Sequence, residues 1–131
     1  MSTPFNPPDL QRMLVALDPF DSSDTFEGYV YRIAKWSHAE IVLLLVCELA
    51  EETLVLFRKQ LLPPEQLDKE IRAKEKELEP RLMELAMRLR ETGVQVFPRM
   101  AYGKRIGETI LETAESEQVQ LIVLGSRGHG A

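Results

Sequence analysis

Two short stretches of this chain carry residue types that could do chemistry. One is "LDPFDSS" (Leu17 to Ser23) and the other is "GSRGHG" (Gly125 to Gly130). In the first, Asp18 directly follows the apolar run "MLVAL". A carboxylate at the end of a buried strand can accept hydrogen bonds from an amine or from hydroxyl groups. The plainer role is a turn or helix-capping aspartate, for which Asp21 and Asp24 compete. In the second, Gly125, Gly128 and Gly130 let the backbone turn tightly and approach a ligand without a Cβ in the way. Amide N–H groups in such a loop can converge on an anion, helped by a following helix N-terminus. An ordinary strand-to-helix turn explains the glycines equally well. The stretch is neither a P-loop nor a dinucleotide fingerprint.

Other candidates are weaker. Arg127 could balance an anion, although an exposed loop arginine is the simpler reading. His129 has no second ligand or carboxylate beside it in sequence. His38 falls near a helix C-terminus, where its charge is favoured. The lone Cys47 lies in "IVLLLVCEL" with no basic neighbour, so it reads as a buried core thiol in a reducing compartment. No Ser-His-Asp order, CxxC pair or HExxH is present.

The elements around these stretches alternate in type. Arg12–Leu17 reads as a buried strand, and "TFEGYVYRIAKWSHA" as a helix with Phe26, Tyr29, Ile33 and Trp36 on one face. Ser23 or Asp24 can cap that helix, with Glu27 closing a capping box on Asp24. Gly28 within it implies close packing. Glu40–Leu49 is continuously apolar, as strands are when both sheet faces are covered. A linker follows, and Pro63-Pro64 sets the next helix start. Over Glu65–Thr92 one stripe holds Leu67, Ile71, Leu78, Leu82, Leu85 and Leu89, ended by Gly93. Unbroken, it would run ~42 Å, so a break or kink is expected at Pro80. The charged half "DKEIRAKEKELE" is expected to project into solvent. Val94–Phe97 alternates like an edge strand. Ile106, Ile110 and Ala114 share a helical face, and Gln120–Leu124 is a last apolar strand. Strands alternating with helices predict an α/β fold, an open parallel sheet with helices on both faces.

Composition bounds the function. The 131 residues suit one domain, and a 44% apolar content allows a buried core. Residues 1–11 read as a flexible segment and 12–131 as the domain. A net charge of −5 argues against a nucleic-acid partner or an anionic membrane surface. The N-terminus lacks a secretory apolar stretch, and the run Ile41 to Cys47 is too short to span a bilayer. A cytoplasmic location is expected.

Taken together, "MLVALDPFDSS", "IVLLLVCEL" and "GVQVFPRMAYGKRIGETILETAESEQVQLIVLGSRGHG" resemble the universal stress protein family. The resemblance covers the chain from Arg12 onward, and the last forty residues match most specifically. It implies a Rossmann-like sheet of strand order 3-2-1-4-5, with ATP held where the first and fourth strands adjoin. Asp18, Pro19 and the backbone near Val46 would hold the adenine. Leu124 and Gly125 would lie by the ribose, and Arg127 and Gly128 by the phosphates. Phe20 replaces the small hydroxyl residue common two positions after the aspartate. Lys104 and Arg105 stand where the family more usually has acidic residues or proline; they could attract phosphate or be solvated helix-start charges.

The family's ATP-binding branch has a further Gly-Ser or Gly-Thr pair after a nine-residue spacer, whereas this sequence ends at Ala131. The order 3-2-1-4 leaves "LIVL" at an open edge, yet as apolar as a central strand. A further helix and a fifth strand that pairs two subunits are therefore expected beyond it, or another chain on that edge. The implied function is an ATP-binding regulatory or stress-response module, homodimeric in its full form. The alternative is a nucleotide-free dimerising module, or a cytosolic domain of a larger protein. ATP hydrolysis ranks last, because no general base, metal-carboxylate pair or nucleophile is evident.

Overall fold

The computed structural model describes residues 10–17 and 24–125. Eight elements follow in order: β1 (Arg12–Leu17), α1 (Asp24–Ser37), β2 (Glu40–Glu48), α2 (Glu51–Arg58), α3 (Pro64–Glu91), β3 (Val96–Gly103), α4 (Ile106–Ser116) and β4 (Leu121–Leu124). The four strands form one sheet of order β3-β2-β1-β4, and every pairing is parallel. Registers are Arg12 opposite Glu40, Ile41 opposite Val96 and Met13 opposite Leu121.

The period of two along a strand divides the core. Met13, Val15, Ile41, Leu43, Leu45 and Val96 face α1 and α3, meeting Val30, Ala34, Leu82, Leu85, Ala86 and Leu89. Leu14, Ala16, Leu44 and Val46 face the other way and meet Ile110 and Ala114 of α4. Each fully buried leucine or valine stabilises the fold by roughly 1.5–3 kcal/mol relative to exposure. Strands buried on both faces have no polar positions to alternate, which is why β1 and β2 read as unbroken apolar runs.

Five expectations change in the structure. The buried face of α1 holds Phe26, Val30, Ile33, Ala34 and Ser37, while Tyr29 and Trp36 are exposed on its flank. Small residues at 30, 34 and 37 let the helix approach the sheet, and the large rings lie to the side. Ser37, the one buried polar residue among those described, bonds the Ile33 carbonyl at 2.7 Å and accepts from the Ala39 amide at 3.2 Å. The segment read as a linker after β2 contains α2, an amphipathic helix with no buried residue. Helix α3 continues through Pro80 without a break. Proline removes one amide donor there, and the buried stripe from Leu82 to Leu89 holds the helix to the sheet.

Finally, β3 begins at Val96 and runs on to Gly103, beyond Phe97. Ile41 donates to the Gln95 carbonyl, so odd-numbered residues of β3 face β2. Pro98, being even, turns its missing N–H to the outer side of an edge strand, where no ladder bond is lost.

Gly28 also departs from expectation: a Cβ built there meets nothing within 4 Å. No close packing demands it. Gly93, by contrast, has φ +92° after the end of α3. Gly28→Ala is therefore expected to stabilise the protein by ~0.4–1 kcal/mol, and Gly93→Ala to destabilise it by more than that. Urea unfolding midpoints of the two variants check both signs.

Candidate functional site

The carboxyl ends of the strands open into a cleft of about 1080 Å³. Ala16 and Leu17 of β1 and Leu124 and Gly125 at the end of β4 line it together with Val46 of β2. β1 and β4 adjoin here although α1, β2, α2, α3, β3 and α4 lie between them in sequence. The chain leaves β1 toward β2 on one side and returns to β4 on the other. This is the switch point of an open parallel sheet, where loops part and leave a crevice.

Among the described residues β1 pairs with β2 as far as Leu17 opposite Leu45, and β3 pairs with β2 on to Glu48. Glu40 donates to the Gln11 carbonyl, so even residues of β2 aim their backbone groups toward β1. Val46 is even: the pairing of Leu17 with Leu45 commits its N–H to the Leu17 carbonyl, and its C=O is directed past Leu17 toward the cleft. Pro19, two positions further along the sequence, has no N–H to offer a carbonyl.

α4 delivers Ile106 and Ile110 to the cleft, and its N-cap residue is Arg105. α2 delivers Glu51 from its own first turn. Neither N-cap residue bonds its helix through a side chain, so both helix starts bring partial positive charge to the cleft rim. Lys104 spans the two helices, with its Nζ 2.7 Å from Glu51 Oε1. The bonded ammonium holds the Glu51 carboxyl below its ordinary range. Both groups remain substantially exposed, so water screens the pair.

The charged half of α3 does not simply project into solvent. Lys74 and Leu78 line the cleft. Glu75 accepts a hydrogen bond from the Tyr102 hydroxyl at the end of β3. Burial, then this bond to a carboxylate, pushes the Tyr102 phenol well above its ordinary value. Cys47 is 1% exposed and its thiol is pushed up by burial, as a core thiol should be.

Of the expected site residues, Val46, Leu124 and Gly125 come together in the cleft. Asp18, Pro19, Arg127 and Gly128 lie outside the described residues, as do Ser23 of the capping pair and His129. Gly125 has a packing reason of its own: an added Cβ would lie 3.3 Å from the Phe26 ring. Lys74, Leu78 and Glu51 were missed. The i, i+3/i+4 continuation of the α3 stripe through 71, 74, 75 and 78 was the only signal for Lys74 and Leu78, and nothing in the sequence marked Glu51. Among the described residues, no group of three or more His, Cys, Asp or Glu side chains could hold a metal. Nor is any helix there long and apolar enough to cross a membrane.

The family model described as the Universal stress protein family matches residues 10–131. The chain belongs to this family. A universal stress protein from Burkholderia pseudomallei superposes with a TM-score of 0.70 at 20% identity, over 92% of this chain and 85% of that one. A universal stress protein solved in complex with cAMP gives 0.64 at 18%, over 93% and 77%. The Archaeoglobus fulgidus universal stress protein in complex with dAMP gives 0.56 at 17%, over 89% and 82%. At these identities the likeness shows the fold. Comparison with curated proteins gives no match.

Tyr102 offers a test of the cleft's bracing. Tyr102→Phe removes the bond to Glu75, at an expected cost of ~1–2 kcal/mol in urea unfolding. Because the folded-state phenol is raised, its stabilisation is complete below the ordinary tyrosine range. It is lost as pH rises from that range toward the higher folded value. The difference between wild type and variant should therefore shrink only at strongly alkaline pH.

Proposed function

We propose that this universal stress protein binds an adenine nucleotide, ATP by the family resemblance, in the cleft at the β1/β4 switch point. It would act as a nucleotide-linked regulatory module. The observation that carries the reading is the meeting of Val46, Leu124 and Gly125 in one cleft where β1 and β4 adjoin, with the Val46 carbonyl directed toward it. The residues present suit such a ligand. Ala16, Val46 and Ile110 give an apolar floor for a base, and Lys74, Lys104 and Arg105 give charge for phosphates. The cleft volume is at the upper end of small-molecule sites. The cAMP and dAMP complexes of two structural relatives support the same class of ligand.

In this reading the adenine lies against Val46, whose carbonyl accepts from the exocyclic amine because Pro19 cannot donate to it. Asp18 accepts a second hydrogen bond from the ligand. Leu124 and Gly125 border the ribose. Arg127 and the Gly128 backbone meet phosphate. Bound nucleotide joins the ends of β1, β2 and β4, and so can alter what the neighbouring helices present to partners.

Calorimetric titration with ATP tests this. Asp18→Ala and Gly128→Val are each expected to weaken binding about tenfold or more, through loss of a charged hydrogen bond and through filling the phosphate's approach. Unchanged affinity in both variants would remove the site assignment.

A second reading is a dimerising module that works without nucleotide, in the cytoplasm or as part of a larger protein. It is favoured by β4, which stands at the sheet edge with Leu121 and Leu124 36% and 60% exposed. Absence of ATP binding by the parent, with a dimer in sedimentation that Leu121→Lys dissolves, would favour this alternative.

A further inference from the structure

We propose that the open flank of α1 is a docking groove for the proline-rich segment that precedes β1, with Pro7 and Pro8 against the Trp36 ring and Phe5 toward Tyr29.

Helix α1 has two flanks. Glu27 pairs with Arg88 at 2.9 Å and Lys35 Nζ reaches the Thr92 carbonyl at 3.3 Å, so one flank lies against α3. Successive helix residues turn by about 100°, which puts Tyr29 and Trp36 together on the opposite flank. The sheet order β3-β2-β1-β4 places β4 on that side, and an added Cβ on Gly125, at the end of β4, would lie 3.3 Å from the Phe26 ring. Val123 of β4 packs on the same core as α1, and Leu121 shares its face by the period of two. The helix flank is thus a wall and this face of β4 a floor. Both are open: Tyr29 is 57% exposed, Trp36 55% and Leu121 36%. The Arg32 guanidinium lies 5.6 Å from the centre of the Tyr29 ring and adds a donor to the wall. Two aromatic rings beside an apolar floor are the lining on which polyproline II segments dock.

The occupant follows from where the chain enters the fold. Leu10, the first described residue, packs on the core and lines a recess with Ala34, Ser37 and His38 at the end of α1. The segment before it therefore joins the fold beside the turn that carries Trp36. Residues 4–8 read Pro-Phe-Asn-Pro-Pro and hold three of the chain's eight prolines. Proline fixes φ in advance, so holding such a segment costs little chain entropy. At about 3.1 Å per residue the six steps from Leu10 back to Pro4 span ~19 Å. The seven steps of helix from Trp36 to Tyr29 span ~10 Å. The segment is long enough to pass both rings. Entering at the Trp36 end, it brings its later prolines to Trp36 first and Phe5, its one aromatic side chain, nearer Tyr29. The tether makes the docking intramolecular, at an effective concentration a second copy of the chain does not match in dilute solution. Docked, the segment covers rings that otherwise form a contiguous apolar patch with the β4 face.

Trp36 is the only tryptophan of the chain, so its fluorescence reports on the groove alone. The test compares the full chain with a form lacking residues 2–9, and with Phe5→Ala and the double variant Pro7→Ala, Pro8→Ala in the full chain. Loss of the segment is expected to shift Trp36 emission to the red and roughly to double its quenching by acrylamide. The point variants should move both readings the same way by a smaller step, with the far-UV circular dichroism of the parent. A synthetic peptide of residues 1–9 titrated into the shortened chain should reverse the shift and saturate. It should bind about tenfold more weakly when the shortened chain carries Tyr29→Ala.

Equal emission and quenching in the full and shortened chains would overturn the proposal. A shielded Trp36 that opens on dilution, with a dimer in sedimentation, would also overturn it, because a second copy would then cover the ring. So would a red shift on shortening that neither point variant shares and the peptide does not reverse, since loss of the segment would then have loosened the fold instead of emptying the groove.

Discussion

The structure depends on β1 being central and covered on both faces. Met13, Leu14 and Val15 are all 0% exposed, each with neighbours in β2 and β4. A strand in that position can carry no polar side chain without stranding it, and its amides are committed to two ladders. Polar chemistry is thereby confined to the two ends of the sheet. The amino end is cross-tied. The Gln120 side-chain carbonyl accepts from the Gln11 and Arg12 amides at 3.0 and 2.8 Å. Arg12 reaches the Glu117 backbone carbonyl at 2.9 Å, and Glu117 also pairs with Arg99 at 3.0 Å. Phe97 lies beneath both guanidiniums. These contacts tie β1, β3 and the end of α4 together and fix the register. With register fixed at that end, the carboxyl ends of the strands are left to line the cleft.

Charge behaves in the same local way. The net charge of −5 describes the whole chain. It says little about a cleft lined by Lys74, Lys104 and Arg105 and also by Glu48 and Glu51. Lys104 pairs with Glu51 and Arg105 with Glu108, so two of the three cations are already partnered. Local charge there is set by these few groups rather than by distant acids screened by water.

Much of the fold was legible in the sequence because β1 and β2 have no alternative. Arg12–Leu17 is too apolar for an edge and too short for a buried helix, and its observed limits match the reading. The end of β3 was less legible. Pro98 and Gly103 are turn residues elsewhere, and only the orientation of an edge strand makes Pro98 harmless. α2 was read as linker because it buries nothing, so no stripe was available to detect. Tyr29 and Trp36 misled for the opposite reason: their size marked a face that the smaller Val30, Ala34 and Ser37 in fact occupy. In the cleft, Val46, Leu124 and Gly125 were found because strand ends are predictable once strands are. Lys74 was not, because its role depends on where a 28-residue helix passes over the sheet.

Gly125 in the cleft and Gly103 in the smaller recess beside it show why composition alone is a poor guide to a binding loop. Gly125 is small because Phe26 lies against it, and Gly103 because Thr109 does. Each would be selected for packing even if no ligand ever entered. A glycine therefore argues for a site only through its position, at a strand's carboxyl end beside the switch point. Gly125 meets that condition through β4's pairing with β1, whereas Gly103 ends β3 at the opposite edge of the sheet. The same tight contacts that hold the backbone also aim the charged side chains beside it. At Gly125 scaffold and site are one set of constraints, and a substitution there acts on both.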